Sequence, residues 1–397
     1  MKRIIIALLA LSLVGCQNAT QGSGSKQPSQ VVIEELPSEA MSFVEDFEYL
    51  TEMLYETYPY MSMIQRQEID INKIIKQYRK KVEYIESRED FYNFVIQFTE
   101  EFNNNGHLSV VLKEEFNDCY NSYPKESKWF EILNNKSTMK FYKDYNKKAA
   151  PTINRETANN LTLLNYEKFN TTYINIESFD HENIIDDNRQ LINFYKEAKL
   201  YDNLIIDLRN TSGGSSEYAQ TNIIEPLATK VYEYEHYILF KENEYTQPFI
   251  TSKLNAEDIV LLSSFDHSNF TNVNLDDLET LTHIAPFRHQ FNPCSEGYEG
   301  NIYVLVGPNN HSASEEFIDF CKTTGFATLI GHETGGNGIG FDPILLPLPH
   351  TGIVLRYSTH YGICANGKNN DAIGTTPDVL LDHSENAYDY IMKKLKN

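Results

Sequence analysis

Positive charge is scarce in this chain. Its 397 residues carry 34 Lys and Arg against 56 Asp and Glu, a formal net charge of −22 at pH 7. Such a surface repels phosphate backbones, and no basic cluster offers a local exception, which argues against a nucleic-acid partner. The acidic excess also keeps a protein soluble. Long apolar runs are missing as well. The one such run, Ile4 to Val14, is shorter than the ~20 residues a membrane-spanning helix needs. No internal repeat is present. No HExxH or CxxC pattern suggests a metal, and no GxGxxG spacing suggests a nucleotide, so no cofactor is expected. Cysteine is sparse, with five in all.

What is present starts at the N-terminus. Met1-Lys2-Arg3 and the short apolar run behind it have the basic and hydrophobic regions of a secretory signal. The run ends in Leu13-Val14-Gly15-Cys16, which resembles a bacterial lipobox, where the cysteine is diacylated and becomes the new N-terminus. The expectation is a signal over residues 1–15, lipidation at Cys16, and a Gly-, Ser-, Gln- and Asn-rich tether over 16–38. The chain would then sit in the cell envelope on the extracytoplasmic side, with acyl chains as its membrane attachment. Cys119, Cys294, Cys321 and Cys364 would remain in an oxidising compartment, with three complete pairings open. Cys321 lies at an apolar helical position and reads as a buried thiol.

Periodicity sets the organisation. Phe43, Phe47, Leu50 and Leu54, then Phe91, Phe94, Val95, Phe98 and Phe102, recur at helical spacing, and Ser87 to Asp90 looks like a helix start. Residues 39–105 therefore read as a helical domain with an aromatic core, followed by a connecting segment over 106–160. From about 161 the pattern becomes short β-branched runs alternating with helices: Thr172–Ile176, Ile184–Lys199, Leu204–Leu208, Ile302–Val306, Ser314–Thr324, Ala327–Ile330 and Ile353–Tyr357. This predicts an α/β domain over 161–397. Residues 230–300 show no clear periodicity and read as an insertion or arm.

Three segments carry chemistry. Gly307 to Phe317, reading GPNNHSASEEF, lies between a buried strand and a helix, where a serine can expose its hydroxyl and the following N–H groups can face an oxyanion. The same Ser312-Ala313-Ser314-Glu315 is also a capping box, in which serine only satisfies helix N–H groups. Leu204 to Gly214, reading LIIDLRNTSGG, runs a strand into paired glycines whose backbone can approach a ligand closely, or simply turn into a helix. Asn103 to Val110 carries Gly106-His107, and a serine nucleophile needs such a base within hydrogen-bond reach.

Taken in order, GHLSV, LIIDLRNTSGG, VLVGPNNHSASEEF with TLIGHETGG, and NDAIGTTPDV resemble peptidase family S41, the tail-specific or C-terminal-processing proteases and their tricorn and retinoid-binding relatives. The likeness covers most of residues 100–382. It implies a ClpP/crotonase-like α/β core and Ser312 as nucleophile. The processing proteases take a lysine base from the next glycine-rich turn, where this chain has Asn337, and an amide cannot accept the serine proton. The tricorn-like branch uses a histidine from the region of His107 and an acid just before the Gly-x-x-Pro-Asp segment, where Asp371 stands. The resemblance thus implies His107 as base and Asp371 as orienting acid, with an oxyanion hole from Gly213 or Gly214 and Ala313. It implies peptide or unfolded-protein substrates and no metal. Processing proteases usually carry a PDZ domain, and the stretch from Val111 to Asn160 is too short for a full one. The reading from another class is a noncatalytic binding lipoprotein of the same fold, holding a peptide or apolar ligand among its 26 tyrosines and 22 phenylalanines.

Overall fold

Leu204, Ile205 and Ile206, and equally Val304, Leu305 and Val306, are all fully buried. A strand apolar on both faces belongs inside a parallel sheet covered on both sides. These two strands are the centre of a six-stranded sheet, in the order Val379–Leu380, Thr328–Gly331, Asn301–Val306, Asn203–Asp207, Thr171–Ile176 and Leu161–Tyr166. All pairs are parallel except the last, a hairpin closed through Asn170 in the left-handed region. Alternate side chains serve opposite layers. Leu204, Ile206, Val304 and Val306 pack with the helices Ile184–Ala198 and Ala313–Thr324, while Ile205, Leu305 and Ile330 pack on the C-terminal helix Ala387–Lys394. The computed structural model describes residues 38–146, 159–271, 273–294, 296–371 and 374–396. The signal-like segment, Cys16 and nearly all of the tether lie outside them, as does part of the connecting segment.

Helices occupy Ser38–Thr57, Met61–Arg66, Ile71–Val82 and Arg88–Glu100. The helix start read at Ser87 is an N-cap, its hydroxyl accepting from the Asp90 N–H. The aromatic stripes interlock, with Phe43 stacked on Phe91 at 4.8 Å and Phe47 edge-on to Phe98 at 5.0 Å. That core is continuous with Leu345, Val354, Leu355 and Tyr357 of a small sheet formed by Ser109–Val110, Val354–Tyr357 and Ile344–Pro347. Three helices, Phe116–Ser122, Lys128–Leu133 and Lys136–Asn146, follow His107.

The stretch 230–300, read as an arm, contains long strands. Tyr232–Phe240 and His283–Phe291 pair antiparallel along nine residues, flanked by His360–Ile363 and Val260–Leu261. Its inward positions include Tyr234 and His236 as well as Ile238, so hydropathy does not alternate although burial does. Among the described residues no helix is long and apolar enough to cross a membrane. Cys119, Cys294, Cys321 and Cys364 are free thiols, and Cys321 is buried as its helical position suggested.

Candidate active site

Three turns leave the carboxyl ends of neighbouring parallel strands and meet: 208–214 after Asn203–Asp207, 307–312 after Asn301–Val306, and 332–338 after Thr328–Gly331. Buried Asn310 binds the first two together. Its amide donates to the carbonyls of Leu208 at 2.6 Å and Thr211 at 3.1 Å, while its oxygen accepts from Gly307 N at 2.8 Å. The third turn joins them through Gly335 N to Asn310 O at 2.9 Å and Ser312 N to Gly336 O at 3.3 Å.

Ser312 is held at φ 55°, ψ −128°, directly before the helix Ala313–Thr324. A non-glycine residue at positive φ is uncommon, and such strain concentrates at functional sites. The capping box is not formed, since the Ser312 side chain makes no cap hydrogen bond. Its other members have different work. Ser314 Oγ lies 2.8 Å from the Thr211 carbonyl and is fully buried. Glu315 Oε1 accepts from Asn370 Nδ2 at 2.7 Å, Thr375 N at 3.0 Å and Thr375 Oγ1 at 2.6 Å, so this carboxyl pins the loop that carries Asp371.

Gly213 backs onto the serine at φ 119°, a conformation open to glycine. A Cβ there would come within 2.6 Å of His311 O and 3.1 Å of Ser312 Cβ. The N–H groups of Gly213, Gly214 and Ala313 have no acceptor among the described residues.

His107, at φ 58°, ends a turn that follows the helical region. Tyr58 Oη donates to Asn105 O at 2.6 Å and Ser358 N donates to Gly106 O at 2.7 Å, which fixes the turn from both sides. Ser312, Ala313, Gly214, His107, Asn337 and Asp371 all line one pocket of about 60 Å³. No hydrogen bond joins Ser312 to His107 or His107 to Asp371 among the described residues. His107 Nδ1 is instead 3.5 Å from Ser358 Oγ. Asp371 Oδ2 lies 2.8 Å from Tyr60 Oη and 3.2 Å from Asn369 Nδ2.

Residues 170–381, more than half of the chain, match the model of Peptidase family S41. The chain belongs to peptidase family S41. It is therefore a serine-type peptidase, a hydrolase of peptides or proteins. Among solved structures, an S41-like fold recurs in a putative peptidase from Parabacteroides merdae, with TM-score 0.56 and 16% identity over 89% of this chain and 97% of that one. Mature CPAF matches at TM-score 0.57 and 12% identity, over 90% and 97%. CPAF complexed with lactacystin matches at 0.56 and 13%, over 90% and 98%. Likeness at these identities is likeness of fold. No curated protein sequence matches the chain.

The electrostatics of this S41 pocket are set by burial. Desolvation, helped by the charge of Arg356 and by His311, pushes His107 down to about 3, so its ring is neutral at physiological pH. Desolvation raises Asp371 to about 6 against the opposing hydrogen bonds from Tyr60 and Asn369. Asn337 Nδ2 donates to Asn104 O at 3.4 Å and so ties the glycine turn to the turn bearing His107. Tyr60, Ser358, His360 and Glu316 also face the pocket and were not singled out from sequence. For Tyr60 the only local signal was the Tyr58-Pro59-Tyr60 break between two helices.

Proposed function

We propose that this S41 chain is an exported, lipid-anchored peptidase of the Ser-His type that cleaves peptides or unfolded proteins through an acyl-enzyme on Ser312. The observation that carries the reading is the free hydroxyl of Ser312, strained at positive φ and not used as a helix cap, in one pocket with a neutral histidine. His107 takes the serine proton as Oγ attacks the peptide carbonyl. The N–H groups of Gly213 or Gly214 and of Ala313 receive the oxyanion. The imidazolium then protonates the leaving amine, and water, deprotonated by the same ring, releases the acid. Hydrogen bonds of this kind tighten when substrate fills the site. The experiment is labelling of the chain from about residue 31 with a fluorophosphonate, read by intact mass. A wild-type chain that takes no adduct would sink the acyl-enzyme reading and favour the binding lipoprotein.

In this reading Asp371 supplies the negative charge that stabilises the imidazolium, while Ser358 holds the His107 ring at Nδ1. The acidic limb of activity then belongs to the carboxyl rather than the ring. Asp371 ionises above about 6, whereas His107 is already neutral there, so kcat/KM should rise as pH passes upward through 6. Asp371→Asn is expected to lower kcat/KM by roughly 100-fold or more and to remove that rise. Ser358→Ala is expected to cost about tenfold and leave the limb in place. An unchanged limb in Asp371→Asn would take the role away from this residue.

Lipid anchoring rests on the Leu13-Val14-Gly15-Cys16 pattern. Labelled palmitate should enter the full chain expressed in bacteria and be absent from Cys16→Ser, which should partition with the soluble fraction. Incorporation that survives the substitution would overturn the assignment.

A further inference from the structure

Glu316 is one helical turn beyond Ser312 and lines the same pocket, with a side chain only 13% exposed. A carboxylate withdrawn from water is ordinarily paired with a cation. Among the described residues Glu316 has no Lys or Arg partner. Ser216, just past the glycine turn, donates its hydroxyl to Oε2. His289 Nε2 stands 3.5 Å from Oε1, but burial holds that ring down at about 4, so it meets the carboxyl as a neutral group. Lys253, the cation facing this side, is paired at 3.4 Å with Asp342, which lines the pocket too. Desolvation, then Asp342 and Asp319, lift Glu316 to about 7 against the effects of Ser216 and Lys253.

The pocket beside the nucleophile thus holds a buried carboxyl that an incoming cation would ionise and pair. We propose that Glu316 selects substrates carrying a lysine or arginine side chain beside the scissile bond, its carboxylate receiving the ammonium or guanidinium. This rests on Ser312 being the nucleophile, and it names the substrate class of that site. The overall charge of −22 acts in the same sense, drawing cationic peptides toward the protein before contact. Such a pairing in a desolvated site gives discrimination of about tenfold or more over an uncharged side chain of similar length.

The test is cleavage-site mapping by mass spectrometry on a peptide library that contains every Lys and Arg context, run with wild type and Glu316→Gln. Fluorophosphonate labelling of both accompanies it. The expected wild-type result is enrichment of Lys and Arg at one position flanking the cut. A lysine peptide should exceed its methionine counterpart at least tenfold in kcat/KM, and the ratio should collapse to within about threefold in Glu316→Gln. The ratio is measured within each variant, so a general loss of activity does not imitate a loss of preference. Wild type that cuts without regard to cationic residues overturns the inference even if Glu316→Gln fails to fold. So does a preference retained by Glu316→Gln. A chain that labels at Ser312 and cuts nothing in the library overturns the inference alone, and a chain that neither labels nor cuts overturns the acyl-enzyme reading along with it.

Discussion

Ser312→Ala is expected to abolish the fluorophosphonate adduct and to lower peptide hydrolysis by about 10⁴-fold or more, with His107→Ala close behind. Three other serines stand near enough to confuse the result: Ser358, whose Oγ is already 3.5 Å from His107 Nδ1, and two more that geometry sets apart. Ser314 is fully buried, 2.8 Å from the Thr211 carbonyl, so its hydroxyl faces the protein. Ser216 donates its hydroxyl to Glu316, an acceptor on the pocket wall, so it is committed to that carboxyl. Only Ser312 combines an uncommitted hydroxyl, a left-handed backbone and a following helix N-terminus with free N–H groups. Near-equal losses from Ser312→Ala and His107→Ala, with no further loss in the double variant, would show the pair acting as one unit. An adduct that persists on Ser312→Ala would move the nucleophile elsewhere.

The parts of this site that could be read from residues were those whose chemistry is local. A strand running into Gly213-Gly214 and a strand running into Ser312 each announce themselves within a dozen residues. Whether Ser312 caps or reacts could not be read, because capping and catalysis ask for the same Ser-Ala-Ser-Glu. The packing decides the capping half: Glu315 is claimed by Asn370 and Thr375, more than fifty residues onward, and the box is not formed. Tyr60 was invisible for a related reason. Its place beside Asp371 is created by a contact across 311 residues, and nothing in a Tyr-Pro-Tyr turn points there. The strand Tyr232–Phe240 hid because its buried face carries Tyr234 and His236, and because its neighbour His360–Ile363 arrives from far along the chain. Pairings of that kind belong to the whole fold and leave little trace in local hydropathy.

Gly213→Ala is expected to reduce hydrolysis by roughly 100-fold to 1000-fold, the range for loss of an oxyanion donor. The added Cβ would fall 2.6 Å from His311 O, 3.1 Å from Ser312 Cβ and 3.3 Å from Ala313 N. Relief requires the turn to move away from the serine and from Ala313, which separates the two N–H groups proposed to share one oxygen. Strain at φ 119° adds a stability cost of its own, and the two effects need separating. Gly325→Ala provides the control. It sits at φ 68° at the other end of the same helix, with nothing within 4 Å of its Cβ, so it carries backbone strain of about 1 kcal/mol and no crowding of the site. Thermal melts should then fall for both variants, while hydrolysis falls steeply only for Gly213→Ala. Its fluorophosphonate labelling should slow in step, since the phosphonyl oxygen uses the same donors. Gly213→Ala that melts lower but turns over within a few-fold of wild type would remove the turn from oxyanion binding and leave Ala313, at the helix N-terminus, as the donor to pursue.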